Sequence, residues 1–338
     1  MWAWRAGSQR GVRPDERTIM VLTVEQGADK VTQCATIQKG ERVLVLCDEF
    51  GDPALSAAVA ASARRRGADV KELTVAQTVL SPVADASEFP PGAVDADVLI
   101  GATSLSIWHS ALGRAAAAAG GRVLAMTGCD VGTLIAGGIE ADFDAAGGPC
   151  VALTTLLTDA RRIRVTTVAG TDLTASLVGR VGGNCTGKVE KPGDRDACPD
   201  MEAFIAPLEE SVNGRIVIDG STTSFGLVDE PLEIFVENGR LKEIRGGEQA
   251  RSMTELLAKH GDSAHVFAEF GFGMNPSARV IGNIVEDEAT LGTGHVAFGN
   301  NDSFGGANSS TIHQDMVYWR PTIELDGTTV MQDGKLLL

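Results

Sequence analysis

The apolar and polar positions fall into two textures along the chain. Between Glu41 and Thr127 the apolar residues come in short unbroken runs: ERVLVLCDEF (41–50), Val70 to Val75, ADVLIGA (96–102) and RVLAMT (122–127). Alanine-rich stretches stand between them, LSAAVAASARRRG ending at Gly67 and SALGRAAAAAGG before Arg122. An unbroken apolar run of strand length has both faces buried, and such runs alternating with helices predict a parallel sheet covered on both sides. After a helix predicted at TTLLTDARR (154–162) the texture changes to alternation of polar and apolar residues, in RIRVTTVAGTDLTASLVGR, GRIVIDGS, LEIFVENGRLKEIRGG and TIELDGTTVMQDGKLLL. Alternation is the mark of half-buried strands. Asn238-Gly239 and Asp326-Gly327 occupy tight-turn positions, since Asn, Asp and Gly tolerate positive φ. The expected architecture is an α/β N-terminal domain with a parallel sheet (20–164) and an α+β C-terminal domain with antiparallel strands carrying a metal site (165–338). The first nineteen residues, arginine-rich and without an apolar segment, are expected to be a disordered extension rather than a secretion signal.

Composition narrows the partners. A length of 338 residues suits two domains, and a net charge of −16 disfavours both a nucleic-acid surface and an anionic membrane surface. The six cysteines form no C-x-x-C pair, which points to a reducing, cytoplasmic compartment without a disulfide framework. No G-x-G-x-x-G follows the first predicted strand, so no dinucleotide is implied. Trp108 and His109 follow a strand end, where α/β sheets place ligands, but a single His there reads as structural.

The chemistry concentrates between His265 and Asp315, where Glu269, Glu286, Asp287, Glu288, His295, His313 and Asp315 lie among glycines. Four of the five histidines, His260, His265, His295 and His313, fall in this C-terminal part. Imidazole and carboxylate together are ligands of borderline divalent metals, and glycines let the backbone converge them. Taken singly, each residue also fits an acidic solvated surface. As a set they do more: His313 and Asp315 at i and i+2 share one face of an extended segment. Glu269, Glu288, His295 and Glu202 in CPDMEAFIAP add more ligands than one ion requires, as a two-metal hydrolase would need. Asn275, Asn300 and Asn301 read as turn residues beside glycines.

Five motifs in order, PDMEAFIAP, S-x-x-G-R-I-V-I-D-G, AEFGFGMNP-x-A, EDEATLGTGHVAFGNN-x-SFGG and HQDMVYWRPTIELDG, resemble the thermophilic metalloprotease (aminopeptidase T) family. The resemblance covers most of the second domain. It implies a homodimeric, cytoplasmic, metal-dependent hydrolase acting on a small-molecule or peptide substrate. Its two divalent ions, zinc, cobalt or manganese, would be held by Glu202, Glu269, Glu288, His295, His313 and Asp315. Glu202 is then the candidate general base for attack of a metal-activated water on an amide. The chain departs from the family at Asp302, where characterised members carry a tyrosine. That departure suggests a small, non-peptide or cyclic amide as substrate. The same superfamily contains the 2,5-dihydroxypyridine dioxygenases, mononuclear Fe(II) enzymes that open a pyridine ring. The chain resembles these in its G-x-G-x-N-P stretch and H-x-D pair, but has Glu269 where their iron-binding histidine stands. This ring-cleaving reading is the alternative to the hydrolase.

Overall fold

The computed structural model describes residues 21–337, so the proposed extension at 1–19 lies outside the described residues. The apolar runs of the N-terminal half form a five-stranded, all-parallel sheet. Its order is Asp69–Val75, Arg42–Asp48, Val98–Gly101, Arg122–Ala125 and Arg195–Ala197. The last strand comes from far along the chain, so the backbone returns to the first sheet after it has begun the antiparallel region. Helices Val24–Cys34, Pro53–Arg65 and Ala111–Ala118 cover this sheet, and the side chains of Thr23, Asp52 (before Pro53) and Ser110 cap their N-termini. The next helix is longer than its periodicity predicts, Phe143–Asp159 rather than 154–162. Gly147-Gly148-Pro149 reads as a breaker, yet Pro149 lies in the first two turns and the Asp142 carboxylate caps the N-terminus.

The alternating segments form two antiparallel sheets. One has eight strands and includes Arg162–Thr166, Asp172–Ser176 and the hairpin Leu232–Glu237/Arg240–Arg245. Asn238 and Gly239 turn that hairpin at φ 49° and 69°, and Asp326 and Gly327 turn another at 50° and 85°. The other sheet has seven strands, of which five run in order His313–Trp319, Thr293–Gly299, Phe267–Gly273, Glu202–Ile205 and, at the edge, Gly183–Cys185. One contiguous apolar core joins residues of all three sheets, including Val45, Ile163, Phe270 and Tyr318. The six cysteines are buried free thiols. Among the described residues no helix is long and apolar enough to cross a membrane.

Asn275 ties the layers together and is more than a turn residue. Its Nδ2 donates to the carbonyls of Gly138 (3.0 Å) and Pro199 (2.7 Å), while its Oδ1 accepts from the amides of Ser277 (2.9 Å) and Ala278 (3.2 Å). Asn275→Ala strands buried donors and acceptors, which cost about 1–3 kcal/mol each when left unpaired. Urea unfolding should show a loss of at least about 2 kcal/mol; an unchanged midpoint would show that the clamp is redundant.

Candidate metal centre

The seven-stranded sheet builds the site by strict alternation. In Glu269-Phe-Gly-Phe-Gly273, His295-Val-Ala-Phe-Gly299 and His313-Gln-Asp-Met-Val317, the first, third and fifth residues share one face. Phe270, Phe272, Val296, Phe298 and Met316 point the other way, into the core. Pairing sets Asp315 and Glu269 on either side of Ala297, His295 opposite Gly271, and Glu202 between Gly273 and Cys185. Glycine and alanine at these positions clear the floor. A Cβ on Gly271 would lie 1.9 Å from His295 Nε2, so the imidazole lies where only glycine leaves room.

The ligand-type groups converge. His313 Nε2 is 3.0 Å from Asp315 Oδ1 and 3.2 Å from Glu269 Oε2, and His295 Nε2 is 3.1 Å from Glu202 Oε2 and 3.9 Å from Glu269 Oε1. His313 Nδ1–H donates to the Asn300 carbonyl at 2.6 Å, which turns Nε2 toward the two carboxylates, a position it holds as a proton donor or, once deprotonated, as a metal ligand. The Thr223 hydroxyl donates to Asp315 Oδ2 (3.3 Å). Glu202 Oε2 makes no hydrogen bond despite its approach to His295, and His295 Nδ1 is likewise buried without a partner. Glu202, Glu269 and His295 form one group of potential ligands, Glu269, His313 and Asp315 a second, and Glu288, His295 and Asp315 a third. Glu288 reaches in from the short helix Ile284–Ala289. All six candidate ligands therefore meet at one cavity of about 550 Å³.

Other residues of the acidic stretch stand apart. Glu286 accepts the amides of Gly138 and Arg279, Asp287 accepts those of Ile281 and Gly282, and His265 Nδ1 faces the Gly261 carbonyl. His260 sits at the cavity edge beside Thr311. Asp302 is exposed and accepts from Asn300 Nδ2, so it does not point at a substrate as its departure from the peptidase pattern suggested. Its neighbour Phe304 faces the cavity instead. His109, expected to be structural, is on the cavity wall, its ring stacked on His313 with centroids 4.9 Å apart and Nδ1 3.1 Å from Ser303 Oγ. Trp108, Phe204 and Phe304 complete an aromatic wall through edge-to-face contacts. The strand-end position was the available signal for Trp108 and His109.

Burial and charge compete across this cluster. Burial works to lower the pKa of His295 and His313, but the charge of Glu202 facing one and of Asp315 facing the other carries both well above the usual value. Burial pushes Glu288 well up, with Asp315 adding to it, and raises Glu202 against the pull of His295. Glu269 and Asp315 stay below the usual range because the imidazoles outweigh burial. His109 is pushed down to about 3, by burial first and then by the charge of His313.

The sequence model of the 2,5-dihydroxypyridine 5,6-dioxygenase family (NicX) matches residues 24–338. A 2,5-dihydroxypyridine 5,6-dioxygenase from Pseudomonas putida KT2440 is 26% identical over 200 residues, 55% of this chain. That match spans little more than half, 57%, of the relative's length. In solved structures, the 2,5-dihydroxypyridine dioxygenase of Pseudomonas putida KT2440 superposes with a TM-score of 0.79 at 21% identity, over 93% of this chain and 96% of that one. AmpT from Thermus thermophilus gives 0.64 at 16% identity, over 93% of this chain and 99% of that one. These findings overturn the hydrolase, aminopeptidase and metalloprotease reading, and nothing supports a pair of zinc, cobalt or manganese ions. The motifs that resemble aminopeptidase T build the strands of a scaffold common to both structures, so they report fold rather than reaction.

The charge balance predicts how stability without metal depends on pH. The stabilisation from His295 and His313, whose folded pKa is raised, is complete below their unfolded value near 6.5 and is lost as pH climbs through the raised value. The share from Glu269 and Asp315, whose pKa is depressed, is present above about 4 and lost in acid. A bound cation replaces the imidazole protons. Calorimetry should therefore show the Tm gap between metal-loaded and metal-free protein widening as pH rises from about 6.5; a gap constant with pH would contradict the assignment.

Proposed function

The chain belongs to the 2,5-dihydroxypyridine 5,6-dioxygenase family, and from that membership we propose that it is an iron-dependent dioxygenase opening the ring of 2,5-dihydroxypyridine or a closely related hydroxylated pyridine. The observation that carries this reading is the His313 imidazole. Its Nδ1–H is committed to a backbone carbonyl, and its Nε2 faces Glu269 and Asp315 at the floor of an aromatic-walled cavity. Two carboxylate oxygens around an imidazole nitrogen are the donors a divalent cation takes, and without one a proton on Nε2 stands in its place.

In this reading the C-terminal antiparallel sheet carries the metal site. Glu269, His313 and Asp315 hold the ion, with one histidine and two carboxylates where the usual facial triad has two histidines and one carboxylate. His295 and Glu202 stand beside it as the nearest further donors. Bound iron supplies the dioxygen and one-electron chemistry of ring opening. The protein's own part is placement. Thr223 and Asn300 fix Asp315 and His313, and Gly271 keeps His295 against the sheet. Phe204 and Phe304, edge to face at 5.6 Å, wall a slot suited to a planar ring. His109 stays neutral and offers a hydrogen bond, not a charge, to a ring hydroxyl.

Protein loaded anaerobically with Fe(II) should abolish the ring absorbance of 2,5-dihydroxypyridine when air is admitted. His313→Ala and Asp315→Ala should reduce the rate by on the order of a hundredfold or more through lost metal affinity. If the loaded protein leaves the ring intact while the zinc, cobalt or manganese form cleaves leucyl anilides, the reading is wrong.

A further inference from the structure

A second set of donors lies on the wall of the same cavity and shares only Glu202 with the surroundings of the proposed iron site. Cys185 stands directly across from Glu202 in the pairing of Gly183–Cys185 with Glu202–Ile205. Asp200 precedes Glu202 by two residues, and one ligand atom from each of Cys185, Asp200 and Glu202 lies within 4.8 Å of the other two. All three are buried, Cys185 at 4%, Asp200 at 2% and Glu202 at 7% exposure. Asp200 Oδ1 has no hydrogen-bond partner. The contrast with its neighbour Asp196 is informative. Asp196 is as deeply buried, but its carboxylate accepts the amides of Thr186, Gly187 and Ala197. The local backbone thus satisfies one buried carboxylate fully and leaves the other aimed at a thiol and a second carboxylate.

We propose that Cys185, Asp200 and Glu202 form a binding site for a thiophilic divalent cation such as zinc or cadmium. Sulfur selects a soft or borderline ion, and the two carboxylates neutralise its remaining charge. The cavity gives the ion access, since all three residues line it. On binding, the Cys185 sulfur–hydrogen bond is exchanged for a sulfur–metal bond and the proton leaves to solvent. The site stands on geometry that does not involve His313, so it holds whether or not the pyridine ring is the substrate.

The test is a cadmium titration of the full chain, followed by the ultraviolet thiolate-to-cadmium charge-transfer band and by metal count per chain. The band should appear in wild type and persist in His313→Ala, whose iron site is broken, and be absent from Cys185→Ser. Asp200→Asn should weaken cadmium binding roughly 10-fold or more. A wild type without the band, or a band surviving in Cys185→Ser, overturns the proposal. Should Cys185→Ser fail to fold, Asp200→Asn decides, and unchanged cadmium affinity in that variant overturns it equally.

Discussion

Five carboxylates, those of Asp200, Glu202, Glu269, Glu288 and Asp315, crowd around two imidazoles at the floor of one cavity, and their mutual repulsion is the constraint the rest of the protein answers to. Two like charges about 4 Å apart at a protein-like dielectric repel by roughly 4 kcal/mol. Two protonated imidazoles cannot balance five such groups. Protons relieve part of the charge, as the raised pKa values of Asp200, Glu202 and Glu288 indicate. A divalent cation relieves it better. The fold holds the groups in this unfavourable arrangement by mounting most of them on the rigid central strands of one sheet, whose other face is buried in the common core.

The opposite wall of the cavity comes from the parallel sheet, and the junction between the two layers is fastened by arginines that have no carboxylate partner among the described residues. Arg195 Nη1 donates to the Trp108 carbonyl at 2.7 Å, and its guanidinium lies 4.5 Å from the centre of the Trp108 ring. Arg114 Nη1 donates to the His109 carbonyl at 2.7 Å. These contacts fix the segment that brings His109 over His313. The return of the chain at Arg195–Ala197 matters for the same reason: it places Arg195 on the first sheet immediately before the segment that leads to Asp200 and Glu202. The Trp108–His109 side of the cavity and the clustered candidate ligands therefore derive from different layers and meet only in the assembled fold.

Much of this was legible in the chain. Unbroken runs against alternating ones separated the parallel sheet from the antiparallel ones, and the i, i+2 spacing of His313 and Asp315 put both on one strand face. The reaction was harder to read, because the motifs around Glu202, Glu269 and His295 specify strands with small residues under the ligands, a scaffold found with more than one chemistry. Glu286 and Asp287 looked like ligands because composition does not reveal that nearby amides occupy their oxygens. The role of His109 depended on a contact across 204 positions of sequence with His313, which no local pattern encodes. Helix Phe143–Asp159 was underestimated because Gly-Gly-Pro ordinarily stops a helix, whereas here it lies in the second turn of a helix whose N-terminus the Asp142 carboxylate caps.

The central claim is that both atoms of dioxygen enter a ring opened at this centre. The most direct measurement is mass spectrometry of the product formed by the Fe(II)-loaded protein from 2,5-dihydroxypyridine under dioxygen labelled with the heavy isotope. The account predicts two labelled oxygen atoms in each ring-opened product. Ring-opened product carrying no label, formed equally well without dioxygen, would contradict it.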